Sequence, residues 1–205
     1  MYTKEQKKLV SYVRVRVKEL MNQYPAKAHG FDHAKRVAKW AVLIATAEHA
    51  NIFLSEISAW LHDIGRVREE FFGHKKRHHE LSYEMCREWF REDKRFDALS
   101  KEEKLQILYA LRYHWNDMAN DYAVAWILRD ADKLDGFGKL GLKRSLDFFE
   151  GDEGKIEVDL RLRYHTLYNL RSRQAKKIVQ EKNMLEPVEK YFKKWLKEKI
   201  EPVAL

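Results

Sequence analysis

His62 and Asp63 stand side by side in Trp60-Leu61-His62-Asp63-Ile64-Gly65-Arg66, where the surrounding pattern asks for core residues. Leu54, Ile57, Leu61 and Ile64 recur at helical spacing and Gly65 suits a helix end, so the pair falls in a last turn. A carboxylate buried there without a partner costs on the order of several kcal/mol, which a cation would offset. Alone, the dipeptide also fits an ordinary helix end whose polar groups meet water. Its company favours chemistry: His33 lies in the first turn of one helix and Asp132 near the end of another. A helical bundle can bring such termini together at one pole. Two imidazoles and two carboxylates suit divalent Mn, Fe, Co, Ni or Zn better than Ca, with Mg also possible. Four protein ligands leave an octahedral ion with open positions for water and a substrate oxygen, and the water it activates is a nucleophile near neutral pH.

The elements that must position these residues are helices. Eight glycines and three prolines in 205 residues are few, periods of three and four dominate, and no alternating run is sustained. The pattern predicts an all-α protein and a single domain, with a core over about residues 20–150 and a C-terminal helical extension over 151–205 packed on it. A first helix runs over about 3–24 with Leu9, Val13, Val17, Leu20 and Met21 as its stripe; Pro25 to Gly30 connects to a second, capped by Asp32. The helix ending at His62-Asp63 is followed by a polar, basic loop from Arg66 to His78, placed to line an opening to the site. Another helix starts near His79 and carries Leu81, Met85 and Trp89. Ser100 and Glu103 make a capping box for a helix with Leu105, Leu108 and Leu111 that reaches His114-Trp115. Val124, Leu128, Ala131 and Leu134 drive the helix of Asp132, and Gly136, Gly138 and Gly141 mark close packing or a bend before a short helix to Phe149. Two longer helices close the chain, one through Leu170 and Ile178, the other through Val188, Tyr191, Phe192, Trp195 and Leu196. Trp40, Trp60, Trp89, Trp126 and Trp195 read as core, and Trp115 as a candidate stacking platform.

Cys86 is the only cysteine, which excludes an intramolecular disulfide and a cysteine-based zinc site. The amphipathic N-terminal stretch and the lack of a long apolar run point to a cytoplasmic protein without a membrane partner. Of the formal charge of +8, +6 lies between Lys155 and Glu201, where thirteen basic residues meet seven acidic ones. Basic and acidic residues alternate there along helical faces, the pattern of a solvated surface, so nucleic acid is not the expected partner. Small anionic substrates suit the same balance.

In combination these segments resemble the HD superfamily of metal-dependent phosphohydrolases. The likeness rests on Gly30-Phe31-Asp32-His33-Ala34-Lys35-Arg36-Val37, Leu61-His62-Asp63-Ile64-Gly65-Arg66 and Arg129-Asp130-Ala131-Asp132-Lys133-Leu134-Asp135. It continues through Gly136 to Gly141 and Arg144, and more loosely into the tail, and it points to the small stand-alone HD proteins. The resemblance implies an all-helical HD bundle with His33, His62, Asp63 and Asp132 as ligands of one divalent ion. The substrate it implies is a small phosphorylated compound, most naturally a nucleotide, cleaved as a nucleoside triphosphate or a monophosphate. His79 and His114 lie where some HD members recruit a second ion. His114 is also placed to protonate a leaving oxygen. Arg66 and Lys133 follow ligand segments and can neutralise phosphoryl charge, with Arg144 and Lys143 in reach of distal phosphates. Asp135, three residues after Asp132, shares its helical face and can orient the attacking water or a ligand histidine. Two other classes remain open at the level of sequence: a metal-bearing sensor that holds a nucleotide without turnover, and a nucleic-acid binder using the basic C-terminal helices.

Overall fold

Among the described residues the chain forms ten α-helices: α1 (Lys4–Gln23), α2 (Phe31–Ala47), α3 (Ile52–Leu61), α4 (His78–Glu92), α5 (Lys101–Tyr113), α6 (Ala123–Asp135), α7 (Gly138–Phe148), α8 (Glu153–Thr166), α9 (Arg173–Glu181) and α10 (Glu186–Ile200). The computed structural model describes residues 2–25 and 29–200, and the side chains of 195–200 lie outside that description. Part of the expected Pro25–Gly30 connection and the side chains of Trp195 and Leu196 are therefore not described. Among the described residues there is no strand, and no helix is long and apolar enough to cross a membrane. The described residues form two compact units, one through Asp132 and one from Lys133 onward.

In the first unit α3 is the central helix. Phe53, Leu54, Ile57, Ala59, Trp60 and Leu61 are all buried, and a helix apolar all round belongs in a core. It packs against α1, α2 and α5, while α4 packs against α5. Asn51 starts α3 by accepting the Leu54 N–H, and Thr3 and Ser100 form capping boxes on α1 and α5.

Several expectations are corrected here. Gly30, not Asp32, caps α2; Asp32 is exposed in the first turn, where its charge suits the helix dipole. The buried stripe of α5 is Ile107, Ala110 and Leu111; of the expected residues only Leu111 is fully buried, Leu108 lies at the edge and Leu105 is half exposed, because the buried face is centred on Ile107. Helix α4 starts at His78, not His79. The segment after Arg66 is no plain loop but opens with a π-helical turn over Val67–Phe71, closed by the Phe72 N–H to the Val67 carbonyl at 3.3 Å. Trp40, Trp89 and Trp126 are partly exposed.

The second unit holds three helices after α7 where two were expected. The chain breaks after a 3-10 turn at Leu167–Asn169, and Ser172 starts α9 by accepting the Ala175 N–H. Ile156, Leu160 and Val188 form its core, flanked by Leu142, Leu146, Phe149, Tyr164, Tyr191 and Phe192. The expected close approach of glycines is present: a Cβ on Gly141 would lie 2.0 Å from the Gly136 carbonyl oxygen.

Candidate metal centre

His33, His62 and Asp132 present donors around one point in the first unit, and Asp63 adjoins them. His33 Nε2 lies 3.2 Å from His62 Nε2, 3.5 Å from an Asp63 oxygen and 3.3 Å from an Asp132 oxygen. His62 Nε2 lies 3.6 Å from Asp63 and 3.9 Å from Asp132. An ion held at about 2.0–2.2 Å by nitrogen and oxygen ligands sets neighbouring donors about 3.0–3.5 Å apart, so the cluster has the dimensions of an ion site.

Each side chain gets there for a local reason. His33 occupies the open N-terminal turn of α2, its N–H bonded to the Gly30 carbonyl. His62 follows the last residue of α3, and its Nδ1–H donates to the Ala59 carbonyl at 2.8 Å. A carbonyl can only accept, so that bond fixes the tautomer and leaves Nε2 bare. Asp132 sits near the end of α6, which is tied down one turn earlier by Arg129. The fully buried Arg129 guanidinium donates to the carbonyls of Asn116 and Ala119 and to the Asn120 side chain, and lies 3.1 Å from Asp117.

A second group adjoins the first through Asp63. One Asp63 oxygen faces His33 and His62; the other is buried without a hydrogen bond and lies 3.5 Å from His78 Nε2. His78 Nε2 is in turn 3.3 Å from His114 Nε2. His114 repeats the device of His62: it follows the last residue of α5 and donates Nδ1–H to the Leu111 carbonyl at 2.8 Å. Asp63, His78 and His114 thus present a second cluster of donors around one point. His78, and not His79, supplies the extra imidazole; the His79 ring packs against Trp115, with centroids 5.4 Å apart.

The electrostatics match. Burial pushes the Asp63 carboxyl up, but His62, Arg66, His29 and His78 outweigh it and hold the group well below the ordinary carboxylate range. Asp132, also pushed up by burial, is held low by a hydrogen bond from His33 and by the His62 imidazole. Burial carries His78 down to about 3, and burial followed by the His62 charge lowers His114. Neutral imidazoles and ionised carboxylates are the forms that ligate a cation. The orphaned Asp63 oxygen and the lone pairs of His62 Nε2 and His114 Nε2, each turned toward another imidazole, fit a divalent ion.

The remaining predicted residues are dispersed. Arg66 is at the cluster, its Nε 3.4 Å from Asp63 and its guanidinium near Glu69 and Glu70. Lys133 is partly buried. In the second unit, the buried Asp135 carboxylate pairs with Arg144 at 2.7 Å, and Lys143 pairs with Asp147 at 2.7 Å. Trp115 is 59% exposed. Sequence reading missed Glu69, which lies 3.3 Å from His78 Nδ1, and the structural role of Arg129. An acid inside a π-helical turn, nine residues before the histidine it faces, has no sequence signal of its own.

The sequence model of the HD domain matches residues 30–136, which include every residue of both clusters. No curated protein matches the chain. Among solved structures, a predicted HD superfamily hydrolase from an uncultured Thermotogales bacterium is 23% identical, covering 92% of this chain and 91% of its own, with a TM-score of 0.67. Bacillus subtilis YpgQ in complex with ADP is 20% identical over 98% of this chain and 100% of its own, at a TM-score of 0.68. An HD-superfamily hydrolase from Bacillus thuringiensis is 20% identical, covering 93% and 98%, at 0.64. These similarities are similarities of fold.

Proposed function

Because the chain belongs to the HD domain family, we propose that it is a metal-dependent phosphohydrolase acting on a small phosphorylated substrate, a nucleotide. The observation that carries this reading is the convergence of His33, His62 and Asp132 on one point, with Asp63 adjoining them and its free oxygen turned toward His78 and His114. The first four would hold one divalent ion, and Asp63, His78 and His114 a second beside it. Ions so held supply charge neutralisation at a phosphoryl group and water ionised near neutral pH.

The chain's own residues do the rest. The backbone carbonyls of Ala59 and Leu111 fix two imidazoles, so the site is preorganised before substrate arrives. Arg66, 21% exposed beside Asp63, is placed to meet a phosphoryl oxygen and can exchange its carboxylate partners for it. Lys133 would add charge, and Asp135 with its partner Arg144 would orient the water. His114, its Nδ1–H held by the Leu111 carbonyl, would offer Nε2 to the second ion and not a proton to the leaving oxygen. Nucleotide as the substrate class is supported by the ADP complex of a protein of the same fold and by exposed aromatic edges near the cluster. Trp115 adjoins His114, and Tyr24, Phe71 and Phe72 pack ring to ring with centroids 5.1–5.2 Å apart. Either group offers a planar apolar surface to a base.

The test is release of phosphate or pyrophosphate from a panel of nucleoside mono- and triphosphates, with Mn, Co, Ni, Mg or Zn added to metal-stripped protein. Release that depends on metal is expected, and Asp63→Ala should abolish it, because that carboxylate serves both donor groups. Pyrophosphate would mark a triphosphate pyrophosphohydrolase and inorganic phosphate from monophosphates a phosphatase. Tight nucleotide binding with metal bound and no product would overturn the enzyme in favour of a sensor.

A further inference from the structure

The second donor group contains one ligand that the helices themselves do not hold in place. His62 and His114 each follow the C-terminal residue of a helix, where the last carbonyls lack intrahelical partners, and each spends its Nδ1–H on the carbonyl three residues back. His78 cannot do this. It opens α4, and the first turn of a helix exposes N–H donors and no free carbonyls. Its Nδ1 therefore needs an acceptor from elsewhere, and Glu69 is the carboxylate within reach: Oε2 lies 3.3 Å from His78 Nδ1, is buried, and is not engaged in a hydrogen bond with any other group.

From this geometry we infer that Glu69 is the positioning residue of the second ion, holding His78 in the tautomer and ring orientation that aim Nε2 at the free oxygen of Asp63. The inference rests on the reading of Asp63, His78 and His114 as an ion site. By accepting the Nδ1 proton when the ion is bound, Glu69 would leave the Nε2 lone pair free for it, and its negative charge would make that nitrogen a better donor. It also offsets the positive end of α4, which disfavours a cation beside His78. The π-helical turn Val67–Phe71 is what delivers it. The Arg68 and Glu69 N–H groups both reach the Gly65 carbonyl at 3.0 Å, and the widened turn sets Glu69 between Arg66, at 3.5 Å, and His78. Arg66 beside the same oxygen restrains Glu69 from reaching the ion directly. Glu69 thus acts through His78 and is not itself a ligand.

The experiment counts ions. Metal-stripped full-length protein is titrated with Mn2+, bound ions are counted, and magnetic coupling between them is read by electron paramagnetic resonance. Wild type is expected to bind two coupled Mn2+ per chain. Glu69→Ala should leave the first affinity unchanged and weaken the second by about 10–100-fold. Glu69→Gln, whose amide oxygen can accept the same proton, should recover part of the loss, and His78→Ala should remove the second ion. A single Mn2+ in wild type would sink the two-ion reading itself. Two ions in wild type, with Glu69→Ala binding both as tightly, would overturn the role of Glu69 alone. Loss of both ions in Glu69→Ala would overturn it too, by showing a general structural role.

Discussion

At the scale of the residue, the metal-free centre stores a dependence on pH. His78 is pushed by burial from an ordinary value of 6.5 to about 3, and His114 is lowered in the same direction. An unfolded chain takes up these protons near 6.5, whereas the folded chain resists them until far lower pH. The unfolded state therefore binds more protons across that window, and stability that is complete above 6.5 is lost as pH falls toward 3. Asp63 and Asp132, with folded values below the ordinary carboxylate range, add to the loss below about pH 4. The melting temperature of metal-stripped protein should fall steadily from pH 7 to pH 4, and His78→Gln should flatten the upper part of that slope. An unchanged profile in the variant would contradict the burial argument. His33, His62, Asp63 and Asp132 were legible because each sits in a motif at a helix terminus. Glu69 and His78 were not, since nothing in a stretch of mixed charge says which acid faces which imidazole.

At the scale of the element, Gly65 is the joint between the segment that carries Asp63 and the helix that carries His78. Its N–H donates to the Ser82 hydroxyl at 2.9 Å, and a Cβ there would lie 2.2 Å from the His78 carbonyl and 2.5 Å from the Ser82 nitrogen. Those neighbours are backbone and cannot swing aside. Gly65→Ala should cost about 1–3 kcal/mol or more by overpacking, measured as a drop in denaturation midpoint. It should also weaken Mn2+ binding at the second donor group before the first. Sequence read Gly65 as a helix end, whereas α3 ends at Leu61 and Gly65 lies in the turn that follows, and the close approach of α4 is a tertiary fact that no local pattern announces. The stripe of α1 was legible for the opposite reason: its periodicity is local, and burial followed it at Leu9, Val13, Val17 and Met21. Helix α5 showed the limit, where several apolar residues allowed two registers and packing against α3 and α4 chose the one through Ile107 and Leu111.

At the scale of the whole molecule, the basic excess is a property of surfaces and not of the centre. In the C-terminal helices Lys155, Arg161, Arg163, Lys177 and Lys190 each meet an acid three or four residues away on the same helix. Such pairs contribute about 0–1 kcal/mol each, and they commit five of the thirteen basic residues of that stretch to intrahelical partners. Affinity for duplex DNA should accordingly be weak, sequence-blind and lost by about 0.15 M salt, as measured by fluorescence anisotropy. Tight binding that persists there and survives Asp63→Ala would restore the nucleic-acid reading. The all-helical class was legible from scarce glycine and proline together with helical periods. The extra break before Ser172 was not, because a short capped turn leaves no gap in hydrophobic content.

The π-helical turn has a consequence for how such a protein changes over time. A π turn accommodates one residue more than an α turn, so a single-residue deletion within Val67–Phe71 could be absorbed by reverting to ordinary helix. Side chains on either side of the deletion would then shift by about 100° relative to one another. Glu69 would no longer lie between Arg66 and His78, while His33, His62 and Asp132 would stay where they are. Loss of three nucleotides in frame, without any substitution at a ligand, is thus a short mutational path from two ions to one.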